Sequence, residues 1–236
     1  MPRIDTMKPA PFHRHLLAAL LLTFASALPA QAAPAQYALD PVHTRVLFAI
    51  DHAGFSKALG TVSGSEGTLV FDPDDWTTAR LDVSVPLTRL DLGDGKWNEA
   101  ALARNLLDGE RYPQARFVSS RIEPVDARHA RVFGTLTLHG TSREIALDVT
   151  LNQLKRHPLP PFRRTAGFSA AATISRAEFG IDAWKSVIGD QVELRIEAEA
   201  LRQGNGKGDE QAAPVESTPP ATPEPVPAAP AKEATP

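Results

Sequence analysis

Apolar and polar side chains alternate most regularly between residues 131 and 151, with a break at residues 139–142. The apolar positions are Val132, Leu136 and Leu138 before the break, and Ile145, Leu147, Val149 and Leu151 after it. Because successive strand side chains point to opposite faces, this pattern predicts a β-hairpin with one apolar face. Gly140 supplies the positive φ of a tight turn. A lone hairpin is marginally stable, so we expect its apolar face to pack against further strands.

The same period of two recurs along most of the chain. It predicts further strands at residues 46–50, 60–64 with a continuation at 68–71, 81–87, 115–122, 166–175 and 191–200. The pattern therefore predicts an all-β protein of about eight antiparallel strands. An even strand number permits closure into a barrel, which removes exposed sheet edges, and a two-sheet sandwich is the alternative.

One segment has helical spacing instead. Asp94 is a suitable N-cap for a helix from Trp97 to Leu107, and Gly109 is suited to end it. The apolar stripe of this helix is typical of a core contact.

Both ends of the chain differ from a folded domain. Residues 1–32 begin with positively charged residues, continue with an apolar run at 16–28 and end at a cleavage site of small residues. This pattern indicates a secretory signal peptide. The alternative, a membrane anchor, needs about 20 apolar residues. Residues 203–236 are rich in Pro and Ala and are expected to be a disordered tail, either a solvated appendage or a tether. Residues 33–202 remain as one domain, which we expect in the periplasm.

Composition restricts the chemistry. The chain has no cysteine, so disulfides and thiolate metal sites are excluded. Its net charge is −3 with acids and bases interspersed, which argues against a nucleic-acid partner. The sequence contains no Gly-x-Ser-x-Gly elbow and no phosphate-binding Gly-x-x-x-x-Gly-Lys motif, and its histidines are scattered. We therefore predict no enzyme and no metal site. His43 and His52 flank one strand and are the candidates for a metal role, which we do not favour.

Two further features have alternative interpretations. Gly60, Gly64, Gly167, Ser169 and Ala171 are small; they either point inward and leave an elongated cavity or allow close strand packing. The basic, proline-rich segment 156–164 is either an ordinary solvated loop or a contact for anionic lipid or a phosphate headgroup.

Several motifs occur together in a characteristic order. They are Asp40-Pro41-Val42-His43-Thr44, His52-Ala53-Gly54-Phe55, Tyr112-Pro113, Gly134 to Thr141, and Ser175-Arg176-Ala177-Glu178-Phe179-Gly180-Ile181. From about Tyr37 to Leu201 the chain thereby resembles the YceI-like family of exported polyisoprenoid-binding proteins. It departs from the family at Asn105-Leu106-Leu107-Asp108, where paired aromatic residues are usual.

The resemblance implies an eight-stranded antiparallel lipocalin-like barrel with one helix near its mouth. Its interior would hold a long isoprenoid lipid or isoprenoid quinone, with no covalent cofactor. The implied function is an exported carrier, buffer or sensor; the alternatives are a quinone-linked electron-transfer accessory and a structural envelope protein. Candidate partners are the polyisoprenoid lipid, a membrane b-type cytochrome and a second copy of the chain.

The predicted site follows from apolar positions of the strands and, for Phe179, of the long connection at 176–190. The expected lipid contacts are Phe48, Val62, Val83, Val85, Phe117, Leu136, Leu138, Leu147, Phe168 and Phe179. His52 and Arg104 are the candidates for contact with the lipid's head group.

Overall fold

A computed structural model describes residues 34–204. The predicted signal peptide and residues 205–236 of the predicted tail lie outside the described residues.

Within residues 34–204 the structure has eleven strands and one α-helix. The strands are β1 (Ala35–Leu39), β2 (Arg45–His52), β3 (Ser56–Ser63), β4 (Glu66–Phe71), β5 (Arg80–Pro86), β6 (Leu90–Asp91), β7 (Gln114–Pro124), β8 (His129–Leu138), β9 (Thr141–Arg156), β10 (Arg164–Ser175) and β11 (Ile188–Arg202). The helix is α1 (Gly95–Leu102), and short 3-10 helices span Trp76–Thr78, Leu87–Arg89 and Arg176–Phe179.

These strands fill eight positions in one closed wall. The order is β1-β4-β5-β7-β8-β9-β10-β11, and β11 pairs back to β1 through Leu39↔Ala200. Three shorter segments share positions with strands of this wall. β2 continues β1 and pairs with β11 and β3, β3 leads into β4, and β6 continues β5 and pairs with β3. All pairings are antiparallel. The predicted eight-stranded antiparallel barrel is therefore confirmed, and the sandwich is excluded.

Three wall strands are interrupted for local reasons. Between β1 and β2 the Asp40 carboxylate accepts hydrogen bonds from the backbone amides of Val42 (2.8 Å) and His43 (3.3 Å), which makes a turn. Gly64, with φ of 77°, separates β3 from β4. Pro86 ends β5 ahead of the 3-10 turn at Leu87–Arg89. Alternation of side chains alone does not reveal such breaks.

The predicted central hairpin is confirmed as β8 and β9, which pair from Leu138↔Thr141 onward. His139 and Gly140 between them have φ of 51° and 72°. Two consecutive positive φ angles are typical of the type I′ turn, whose twist matches that of the flanking strands.

The helix is shorter than predicted. Asp94 is its N-cap, accepting hydrogen bonds from the amides of Lys96 and Trp97, but α1 ends at Leu102. Beyond it the chain folds back in turns, in which the amide of Leu107 donates to the carbonyl of Ala101. This irregular path brings the consecutive residues Leu106 and Leu107 into contact with the barrel interior.

The two ends of the barrel carry different connections. The end we call the helix end carries the β2–β3 turn, α1, the β8–β9 turn and the connection 176–187. The end we call the loop end carries the connections 72–79, 125–128 and 157–163 and the last residue of β11. Among residues 34–204, no helix has the length and apolar character needed to cross a membrane.

Candidate functional site

The barrel encloses a cavity of about 490 Å³. Its wall is apolar apart from Thr44, Asp51, His52, Ser65 and Arg176. Small-molecule sites in proteins are typically apolar cavities of about 300–1,000 Å³. The interior is thus suited to an apolar guest of considerable size.

Aromatic packing closes the cavity at the loop end. Trp76, in the connection after β4, meets Phe71 edge to face with ring centroids 5.0 Å apart, and Phe71 meets Phe168 in the same way at 5.5 Å. Phe71 and Trp76 are both buried. Edge-to-face contacts of this kind are favourable beyond the area that they bury.

The helix end is open by comparison. Trp97 of α1 lines the cavity and is 46% exposed, and the His52 ring lies 5.6 Å from its ring. Asp51 and Ala100 line the same region and are exposed. The mouth therefore lies between the β2–β3 turn and α1.

The predicted lipid contacts lie together on the interior face, with one exception. The residues that line the cavity are Phe48, Val62, Val83, Val85, Phe117, Leu136, Leu138, Leu147 and Phe168. Phe179 does not line it: its side chain is 0% exposed and packs with Leu87, Leu138 and Ile181 in the core at the helix end. Binding of lipid by the lining residues stays a prediction.

The two head-group candidates are not brought together. His52 is at the mouth and lines the cavity. Arg104 is exposed in the turns after α1 and does not line it. The early end of α1 turns the chain away before Arg104, so the predicted helical stripe does not carry this side chain to the cavity.

The small residues that widen the cavity differ from those predicted from the sequence. A methyl group added to Gly60 would overlap the ring of Phe48, so this glycine permits close packing. Ser169 points outward, since its hydroxyl donates to the Glu197 carboxylate at 2.6 Å. Ala171, two residues along β10 and on the same face, is exposed to solvent. The small inward side chains that line the cavity include Ala170 and Ala198.

Arg176 is a cavity-lining residue that sequence reasoning did not identify. Its guanidinium is buried and donates to the carbonyls of Ile181 (2.8 Å), Ile188 (2.9 Å) and Gly189 (2.8 Å). These bonds hold the connection 180–189 against the helix end of the barrel. The only available signal was its place in the Ser175–Ile181 motif.

Outside the barrel, Asp40, His43 and Glu199 form a small cluster whose potential ligand atoms lie within 4.8 Å of one another. His43 Nδ1 is 2.8 Å from Asp40 Oδ2 and 4.0 Å from Glu199 Oε2. The first contact is a hydrogen bond that forms part of the β1–β2 turn. The turn therefore accounts for this arrangement.

The same contact predicts a pH dependence. Hydrogen bonding to Asp40 and its charge raise the pKa of His43. Burial opposes ionisation of Asp40, but hydrogen bonds from His43 and Val42 outweigh it and lower the pKa of that carboxyl. The pair therefore stabilises the fold most between the ordinary pKa values of Asp and His, about 3.9 and 6.5. The contribution is lost as pH rises through the raised pKa of His43 or falls through the lowered pKa of Asp40.

We expect Asp40→Asn to lower the pKa of His43 toward its ordinary value, because the charged acceptor is removed. Titration of the His43 ring protons by NMR measures this change. Asp148→Asn, at an exposed position of β9 where the carboxylate contacts Arg131, is the control and should leave the pKa of His43 raised. An unaltered His43 titration would contradict the assignment.

Comparison with known proteins agrees with the barrel geometry. The YceI-like domain matches residues 37–200, which is most of the chain. The chain belongs to the YceI-like family. A UPF0312 protein of Pseudomonas savastanoi pv. phaseolicola is 32% identical over 167 residues, covering 70% of this chain and 86% of that one. Protein YceI of Escherichia coli O157:H7 is 28% identical over 186 residues, covering 77% and 96%.

Solved structures with YceI-like folds resemble the barrel. BcnA of Burkholderia cenocepacia superposes with a TM-score of 0.61 at 24% identity, covering 68% of this chain and 98% of that one. A polyisoprenoid binding domain from Saccharophagus degradans, implicated in plant cell wall breakdown, superposes with a TM-score of 0.55 at 15% identity. The match covers 72% of this chain and 99% of that one. At these identities the likeness concerns the fold alone.

Proposed function

We propose that this YceI-like protein holds a long isoprenoid lipid, or an isoprenoid quinone, inside its barrel as a carrier or buffer. The observation that carries the proposal is the apolar cavity of about 490 Å³, closed at the loop end and open at the helix end. Burial of apolar area contributes about 25 cal/mol per Å², so a long hydrocarbon chain in such a cavity gains considerable binding free energy. The polyisoprenoid-binding relative of the same fold supports this ligand class.

The cavity favours binding over covalent chemistry. Its ionisable lining residues are Asp51, His52 and Arg176. The guanidinium of Arg176 is occupied by three carbonyls, and Asp51 and His52 are neighbours at the mouth. The hydroxyls in the wall belong to Thr44, which donates to the Glu199 carbonyl at 3.5 Å, and Ser65, which has no hydrogen-bond partner in residues 34–204. Neither is paired with a general base, as a hydrolase or transferase would require.

The proposal includes export. A signal peptide at residues 1–32 would deliver the domain to the periplasm, where a carrier could collect lipid released from a membrane. Electron-transfer, envelope-structural, cytochrome and homodimer roles stay predictions of the sequence.

Uptake of lipid by delipidated protein tests the proposal. We expect stoichiometric uptake of a radiolabelled polyprenol, measured after gel filtration. Ala170→Trp places an indole in the cavity and is expected to weaken uptake tenfold or more, corresponding to about 1.4 kcal/mol.

Ala171→Trp is the matched control, because Ala171 is adjacent on β10 but exposed. It is expected to bind like the unaltered protein. The proposal fails if the unaltered delipidated protein takes up no prenyl lipid, or if folded Ala170→Trp protein binds as well as the control.

A further inference from the structure

Positive charge is concentrated on the β9–β10 connection at the loop end. The sequence has no acidic residue between Asp148 and Glu178, although the whole chain has a net charge of −3. The cations of this region are Lys155, Arg156, Arg163 and Arg164, and all four are exposed. In the described part of the chain, none of their side chains forms an ion pair with a carboxylate.

The strand register places three arginines side by side. Arg164 of β10 lies directly opposite Arg156 of β9. Thr165 pairs with Leu201, so the antiparallel register brings Arg202 of β11 next to Arg164 on its other side. Like charges at directly opposed positions destabilise a sheet. An anionic partner would remove this repulsion.

Two apolar side chains project from the same connection. Leu159 is 63% exposed and Phe162 is 48% exposed. The connection is fixed internally, because the His157 amide donates to the Arg163 carbonyl at 2.8 Å and the Phe162 amide donates to the Leu159 carbonyl at 2.9 Å. Pro158, Pro160 and Pro161 restrict it further. The apolar side chains are thus presented to solvent by a preorganised backbone.

We propose that Lys155, Arg156, Arg163, Arg164 and Arg202, together with Leu159 and Phe162, form a basic loop surface that docks the barrel on an anionic lipid bilayer. Cations attract the phosphates of such a bilayer, and apolar side chains enter the boundary below the headgroups. A free phosphate ion or a nucleic acid would match the cations but would not use the exposed Leu159 and Phe162. The bilayer satisfies both features.

Vesicle sedimentation tests this docking independently of lipid uptake into the cavity. The purified protein is expected to sediment with vesicles containing phosphatidylglycerol, to stay in solution with pure phosphatidylcholine, and to dissociate at high salt. Each cation near the surface contributes about fivefold, or ~1 kcal/mol, so Arg156→Gln/Arg163→Gln/Arg164→Gln should weaken binding about a hundredfold. Leu159→Ser/Phe162→Ser should also weaken it.

A matched triple variant at the helix end, Lys96→Gln/Arg111→Gln/Arg143→Gln, carries the same change in net charge and is expected to retain binding. All these positions are exposed, and circular dichroism checks that each variant folds. Equal loss in both triple variants would overturn the proposal, as would undiminished binding in Leu159→Ser/Phe162→Ser. Loss of binding in Phe55→Ser, at the 92% exposed tip of the β2–β3 turn, would move the docking surface to the opposite end.

Discussion

Replacing Phe179 with alanine is expected to lower the free energy of unfolding by about 3–5 kcal/mol, the usual cost of deleting a fully buried aromatic side chain. Phe179 is 0% exposed and fills the core at the helix end together with Leu87, Leu138 and Ile181. Its removal leaves a void that the neighbouring strands cannot close, because they are fixed in the barrel wall. Chemical denaturation measures the change.

Phe55→Ala removes the same atoms from a side chain that is 92% exposed, and its effect should stay within about 0.5 kcal/mol. Since Phe179 does not line the cavity, the milder Phe179→Leu variant should retain lipid uptake. A small effect of Phe179→Ala on stability, or a large one of Phe55→Ala, would contradict this description of the core.

Arg176→Ala is expected to lower the free energy of unfolding by about 3 kcal/mol, because it leaves one buried and two partly buried carbonyls without their charged donor. For a domain of this size the midpoint of thermal unfolding should fall by about 10 °C. The carbonyls belong to Ile181, Ile188 and Gly189, so we also expect faster hydrogen exchange along residues 180–189.

Arg176→Lys separates the charge from the geometry. Lysine keeps the positive charge but lacks the planar fork that reaches several carbonyls at once, so an intermediate loss is expected. Arg195→Ala, on an exposed position of β11, is the control and should be nearly neutral. A lysine variant as stable as the unaltered protein would show that the three directed bonds do not hold this connection.

The sequence predicts the wall of the barrel well because one physical pattern determines it. In a closed barrel the apolar face of each strand must point inward, so alternation at Leu136, Leu138 and Leu147 predicts both the strand and the cavity-lining face. The β8–β9 turn follows in the same way from Gly140.

Tertiary contacts decide the features that the sequence does not predict. Nothing in the local pattern shows that Phe48 covers Gly60 across a strand pair, or that Arg176 turns inward to bind backbone carbonyls. Helix propensity favours continuation past Leu102, but packing of Leu106 and Leu107 against the barrel interior prevails. Phe179 has the right character for a cavity wall, yet its position in a 3-10 turn directs it into the core.

The mouth and the basic loop surface occupy opposite ends of the barrel. With β9 16 residues long and tilted as barrel strands are, the two ends lie roughly 40 Å apart. A molecule resting on a bilayer through its basic loops would hold its opening away from that bilayer. If the cavity holds lipid as proposed, that lipid would be exchanged on the side facing away from the bilayer, and substitutions in the basic loop surface should leave lipid uptake into the cavity unchanged.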